Sequence, residues 1–404
     1  MRSISKAAAI ILLAAATVVS VSACSSGDSP GSSAEPGNGN TVKIMVFGSF
    51  SQPPFPLKQI DTAAQAAVKQ VNADGGINGT QIELISCDDN GSANGSTACG
   101  RQAVKENVAA VVGAFTLFGD NIVPQLEEAN IPYILPVAIS GTEVSSTVSF
   151  PIMASATPIA ADLLALKQAK LCDVVVGASS LNAQSQATYE NYELPVAENL
   201  GVSTDTVFYP PTTTDFSSVA AQVAAKGDCV VYQGGAQDTA AIVNAIGQSG
   251  AKMTQIAIST IALPTQTLSQ LGKPGDGVLV YAPMYYPSTN KPGVKQAVTN
   301  MQAVDSNVII DDTALNSYAA VLTFAAAAKN LTGDITGAAL VTELNTAGTT
   351  IDTGMYAPTD FATDAGFFPP APRVAGSTFI PYISKDGQWE TNGDAIHLAG
   401  NIGF

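Results

Sequence analysis

Histidine occurs once in this chain, at His397, and tryptophan once, at Trp389. A single imidazole outside every strand–loop junction leaves no His-based triad and no multi-histidine metal centre to build. Cations are also scarce: 17 Lys and Arg face 33 Asp and Glu, a formal charge of −16 with no basic run anywhere. A phosphate backbone is held by Lys and Arg stripes, so nucleic acid is excluded as the main partner. The chain has no Gly-x-Ser-x-Gly elbow, no Walker A loop and no dinucleotide fingerprint. Against these absences, 46% of the 404 residues are apolar and 12% charged. That is the composition of a globular chain with two or three compact units and a core that needs no metal or disulfide.

The N-terminus reads as an address. Arg2 and Lys6 precede an apolar stretch over 7–21, shorter than a bilayer span, which runs into Val21-Ser22-Ala23-Cys24. A membrane-spanning anchor is the competing reading. The small residues before Cys24 resemble the bacterial lipobox, which implies cleavage of a signal over 1–23 and acylation of Cys24. The chain is then expected on the outer face of the cell membrane, held by its lipid. Residues 24–41, rich in Gly, Pro and Ser, follow as a flexible spacer.

Export into an oxidising compartment leaves Cys87, Cys99, Cys172 and Cys229. Four cysteines allow three pairings. The expected ones are Cys87–Cys99, closing a short loop, and Cys172–Cys229, joining the starts of two strand candidates, with buried free thiols as the alternative. No spacing suggests zinc.

From residue 42 onward short β-branched runs alternate with Ala-rich segments of helical period. Strands are predicted at 42–47, 82–86, 110–114, 133–135, 174–176, 207–209, 230–232, 256–259 and 278–281. Helices are predicted at 61–72, 98–107, 121–129, 159–168, 184–199, 216–225, 238–248, 292–304 and 313–330. The rhythm points to parallel sheets with helices on both faces, and its length to two α/β lobes. Ala63, Ala66, Ala67, Val68 and Val71 form a small-residue stripe suited to close packing. Asp88-Asp89-Asn90-Gly91 hints at a Ca²⁺ loop but has no acid where a bidentate Glu belongs, so a solvated loop is expected.

The run Val71-Asn-Ala-Asp-Gly-Gly-Ile-Asn-Gly-Thr resembles a motif of the type I solute-binding proteins of branched-chain amino acid ABC transporters. Further similarity follows in order at 109–115, 129–140, 212–223, 229–250 and 277–283. The resemblance implies a two-lobed periplasmic-binding-protein-like type I fold, each lobe a mostly parallel sheet flanked by helices, with a ligand cleft between. It places lobe 1 at 42–156 and 284–378, and lobe 2 at 157–283 and 379–404.

Loops that follow strands should line such a cleft. They supply Phe50, Ser51, Phe55, Thr116, Leu117, Phe118, Val137, Ala138, Ile139 and Ser140 from lobe 1, and Asn182, Gly235 and Asp238 from lobe 2, with Tyr285 near a crossing. By the resemblance, hydroxyls of lobe 1 hold an amino acid's carboxylate and Asp238 its ammonium. Here Leu117 and Ile139 stand at the hydroxyl positions, with Thr116 and Ser140 one residue away. A hydroxyl lost from a carboxylate site leaves ligand charge unsatisfied. The expected ligand is therefore more apolar than a branched-chain amino acid, with an amine or amide facing Asp238. Asp238 also suits the first turn of a helix, and Phe115 and Phe118 also suit a core.

The implied activity is capture of a small organic molecule by hinge closure and delivery to an ABC permease, by a monomer with no cofactor and no catalysis. A ligand-sensing receptor component is the alternative, and a carboxylate-based hydrolase a more remote one. The absence of a further apolar span before Phe404 favours delivery over sensing.

Overall fold

The computed structural model describes residues 41–52, 56–250, 253–258 and 262–404. The expected signal over 1–23, the acylated Cys24, all of the spacer but Thr41, and Phe55 lie outside them.

Five parallel strands build the first sheet: β1 (Thr41–Gly48), β2 (Gln81–Asp88), β3 (Ala110–Val112), β4 (Tyr133–Ile134) and, beyond a short β5 (Val137–Ala138), β6 (Ser149–Phe150). Their order is β2-β1-β3-β4-β6, while β5 pairs in parallel with β7 (Met153–Ala154). The second sheet holds β8 (Val175–Ser180), β9 (Thr204–Tyr209), β10 (Cys229–Gln233), β11 (Gln255–Ile258) and β12 (Leu279–Ala282), all parallel. Three antiparallel strands complete it: β13 (Thr378–Lys385), β14 (Gln388–Thr391) and β15 (Ile396–His397). This is the expected two-lobed α/β architecture of mostly parallel sheets flanked by helices.

Alternation along each central strand explains why both faces are covered. In β1, Ile44 and Val46 join one core while Met45 and Phe47 join the other, and all four are fully buried. In β10, Val230 and Tyr232 face one core and Cys229 and Val231 the opposite one. A strand with a period of two and apolar residues at every position needs helices on both sides.

The stripe Ala63, Ala66, Ala67, Val68 and Val71 is buried in the helix Lys58–Ala73, which packs on the Ala-rich helix Asp312–Lys329. Gly113 has φ +56° and lies so close to Ser317 of that second helix that a Cβ would collide with it. The Gly-rich run after the first helix is a chain of left-handed residues, with Gly75, Gly76, Asn78 and Gly79 all at positive φ. Gly76 N–H donates back to Val71 C=O (2.9 Å), and Ile77 and Thr80 exchange backbone bonds that turn the chain into β2. Only residues tolerant of this region make so abrupt a reversal.

Every predicted strand and helix is present in some form, with two informative departures. The predicted helix 184–199 is an α-turn (Ala183–Thr188), a π-turn (Tyr189–Glu193) and an α-turn (Leu194–Leu200). The loop expected to be solvated at 88–91 is partly buried: Asp89 is fully enclosed and accepts from Gly91 N–H (2.8 Å) and Thr116 Oγ1 (2.7 Å). Among the described residues no cluster of His, Cys, Asp and Glu has the arrangement of a metal site, and no helix is long and apolar enough to cross a membrane.

Both expected disulfides are formed. Cys87–Cys99 ties the end of β2 to the helix Ala93–Lys105, and Cys172–Cys229 ties the lead-in to β8 to the start of β10. Their sequence separations are 12 and 57 residues. Chain-entropy arguments assign about 3 kcal/mol to the shorter loop and about 4 kcal/mol to the longer. Replacing both members of each pair by serine should thus lower denaturant-unfolding stability more for Cys172/Cys229 than for Cys87/Cys99.

Candidate functional site

All strands of a parallel sheet point their carboxyl ends to one edge, so the loops leaving them converge. In this protein those loops enclose a cavity of about 320 Å³. Phe115 and Leu117 come from the loop after β3, Val137 and Ile139 from β5 and its exit, and Met153, Ala154 and Ser155 from β7 and its exit. The second sheet contributes Ser179 and Ser180 at the end of β8 and Asn182 after it, Val231 to Gly235 along and after β10, and Tyr281 and Pro283 around the end of β12. The helix Thr157–Ala169 adds Pro158, Ile159 and Asp162, and Asp312 enters from the start of the helix Asp312–Lys329.

Of the residues expected from the sequence, Leu117, Val137, Ile139, Asn182 and Gly235 line this cavity. Leu117 is an exposed large apolar side chain, at 47%. Ala138 is buried between these lining positions. The two hydroxyls expected one residue away from the missing pair are committed elsewhere. Thr116 is 1% exposed and donates to Asp89 (2.7 Å), beside Ser96 at 3.0 Å, while accepting from Phe118 N–H. Ser140 caps the helix Gly141–Ser145, accepting from Glu143 N–H while the Glu143 carboxylate accepts from Ser140 N–H in return. The capping box holds the Ser140 oxygen toward Glu143, and a hydrogen bond from the same side chain acts on the Glu143 carboxyl.

Phe50 and Ser51 are drawn to the end of β2, where Phe50 N–H and Ser51 Oγ both donate to Asp88. Phe118 precedes the helix Gly119–Glu128 at its N-cap. Tyr285 is occupied by Lys291, whose ammonium sits 4.0 Å from the ring centre. Asp238 is in the first turn of the helix Ala236–Ser249 and does not face the cavity directly. Tyr209 donates to it (3.1 Å) and is itself hydrogen-bonded to the Tyr232 hydroxyl, so Asp238 reaches the wall only through two phenols. Burial holds the Tyr232 phenol protonated far above its ordinary range.

Sequence reasoning missed Asp162, Glu193 and Asp312. Each stands inside a predicted helix or at its edge, where a carboxylate normally faces solvent and gives no signal. Asp312 is 2% exposed and accepts from the Tyr286 hydroxyl (2.6 Å). Burial pushes its carboxyl up to about 7. Burial likewise raises Glu193 to about 8 and Glu143 to about 7, the latter against the backbone bonds of Ser140 and Ile139. Asp162 is pushed well above the carboxylate range, by burial first and by the Glu193 charge second.

A carboxyl raised by folding stays protonated in the native chain while the unfolded chain has ionised. Its stabilising contribution is complete below the ordinary carboxylate pKa of about 4 and is lost as pH rises toward the folded value. The thermal midpoint is therefore expected to fall between pH 5 and pH 8, and Glu193→Gln to flatten that slope. Calorimetric scans of both proteins across this window check it.

A family model described as periplasmic binding protein matches residues 42–371. No curated protein sequence matches the chain. Among solved structures, a branched-chain amino acid ABC transporter protein from Thermus thermophilus with bound valine superposes with a TM-score of 0.76 at 14% identity, over 90% of this chain and 98% of that one. A fatty acid ABC transporter substrate-binding protein from Thermomonospora curvata gives 0.74 at 19% identity, over 90% and 94%. A solute-binding protein from R. palustris in complex with 4-hydroxybenzoate gives 0.69 at 17% identity, over 90% and 98%.

Proposed function

This chain belongs to the periplasmic binding protein family, and we propose that it is the solute-capturing lipoprotein of an ABC importer. Two sheets end at one cavity, so a solute held there touches both and favours the closed arrangement over the open one. We assign 42–156 with 284–378 to one lobe and 157–283 with 379–404 to the other, with Cys24 as the acylated anchor. A permease that reads closure needs a single copy able to hinge, so the working unit is a monomer, and its task is binding rather than turnover.

The observation that carries the ligand class is the wall formed by Phe115, Leu117, Val137 and Ile139. The nearby hydroxyls of Thr116 and Ser140 are turned to Asp89 and Glu143. A free amino acid's carboxylate would lose its water there and find apolar side chains instead. The solute is accordingly more apolar than valine or leucine. The related structures named for valine, a fatty acid and 4-hydroxybenzoate support a cleft that accepts apolar bodies of different kinds.

Calorimetric titration with leucine and valine should give affinities no tighter than about micromolar, and sub-micromolar binding would overturn the apolar assignment. Ile139→Trp, which narrows the cavity, should weaken the contraction seen by solution scattering when a bound solute is added back. Native mass spectrometry of protein from its own secretion route is expected to reveal that solute. Cys24→Ser should release the protein from the membrane fraction.

A further inference from the structure

One buried carboxyl group lines the cavity and a second lies behind its lining residue Gln233. Asp162 lines the cavity, is 2% exposed, and its Oδ1 accepts no hydrogen bond among the described residues. Glu193 is 1% exposed, and its Oε1 is equally unpartnered. Its other oxygen accepts a bond of 3.3 Å from Nε2 of Gln233, a lining residue. Neither acid takes part in any ion pair among the described residues.

The seat of Glu193 is built rather than incidental. It ends the π-turn Tyr189–Glu193, and such a turn shifts the side chains that follow it relative to an uninterrupted helix. The facing strand β8 carries Gly177, where a Cβ would collide with the Glu193 carboxylate. The carboxyl thus fills the space that any other residue at 177 would take. A buried polar atom without a partner is costly, and native structures keep few of them.

The chemistry of the missing partner follows from the walls. Among the described lining residues, Asp162 and Asp312 are the only carboxylic acids, and no Lys, Arg or His joins them. Asp312 is engaged by Tyr286. The aromatic residues Phe115, Tyr232 and Tyr281 line the same space, and aromatic rings favour a nearby cation over an anion. An anionic group brought here would be desolvated beside acids with no cation to meet it. A protonated nitrogen would satisfy the open Asp162 oxygen and favour its ionised form, the proton that burial retains on the carboxyl being released to solvent on binding.

We propose that Asp162, supported by Glu193, forms a subsite for the ammonium group of an otherwise apolar amine. Asp162 stands on the helix Thr157–Ala169, apart from Asp238, which is held by Tyr209. The inference rests on the cavity being the solute site, and the test separates the two.

Three probes with one skeleton decide it: 3-phenylpropylamine, 3-phenylpropanol and 3-phenylpropionate, titrated calorimetrically into the full secreted chain at neutral pH. The amine should bind about tenfold or more tightly than the alcohol, and the acid more weakly than either. Asp162→Asn should reduce the amine-to-alcohol ratio to within about threefold of unity. Glu193→Gln should lower the same ratio, and it decides the matter if the first variant does not fold. The subsite is overturned if the acid binds better than the amine, if the alcohol binds and the amine does not, or if both variants keep the wild-type ratio. In those cases the cavity remains the solute site. If none of the three probes binds, the subsite and the cavity assignment fall together.

Discussion

Strand polarity is the constraint on which the rest depends. Because β1 to β4 with β6, and β8 to β12, run parallel, every loop that leaves a strand's carboxyl end emerges at the same edge of its sheet. Residues more than 100 positions apart in the chain, such as Leu117 and Gly235, therefore line one space. Burial of both sheet faces follows from the same parallel arrangement, since crossover helices must lie against them. The Ala-rich stripes on those helices allow close approach, and Gly113 under Ser317 shows how little room is left.

The site itself is governed by desolvation. Few cations are present to neutralise carboxyls, so acids that enter the interior stay protonated or wait for a partner. Glu143, Glu193, Asp162 and Asp312 are all raised by burial, whereas the carboxylates that remain in water keep the exported protein strongly negative. The interior acids divide by their neighbours. Glu143 is absorbed by a capping box and Asp312 by a phenol, but Asp162 and Glu193 each keep an open oxygen. That difference is what separates structural acids from a group available to a solute.

Much of the architecture was legible because it depends on local patterns. A β-branched run followed by an Ala-rich period of 3.6 can be read residue by residue, and so can the Gly-Gly-Ile-Asn-Gly reversal. Short strands such as Ser149–Phe150 and Met153–Ala154 were not legible, since two residues carry no period. Part of the cavity wall was foreseeable for a related reason: Leu117, Val137 and Ile139 closely follow the readable strands 110–114 and 133–135. Thr116 and Ser140 were expected beside them, yet Thr116 turns to Asp89, 27 residues earlier, and Ser140 is held by Glu143 in a local Ser-x-x-Glu capping box.

The amino-acid order alone determined the alternation of strand and helix and the apolar character of the loops around Leu117 and Ile139, properties that arise from neighbours within a few residues. The pairing of Cys87 with Cys99 and of Cys172 with Cys229 was one of three the order allowed, and the structure selected it. Only the tertiary structure decided that Asp238 lies behind two tyrosines and that Asp162 faces the cavity. Direction of a side chain on a helix depends on what packs against that helix, and the π-turn ahead of Leu194 shifts that direction in a way no periodicity reveals.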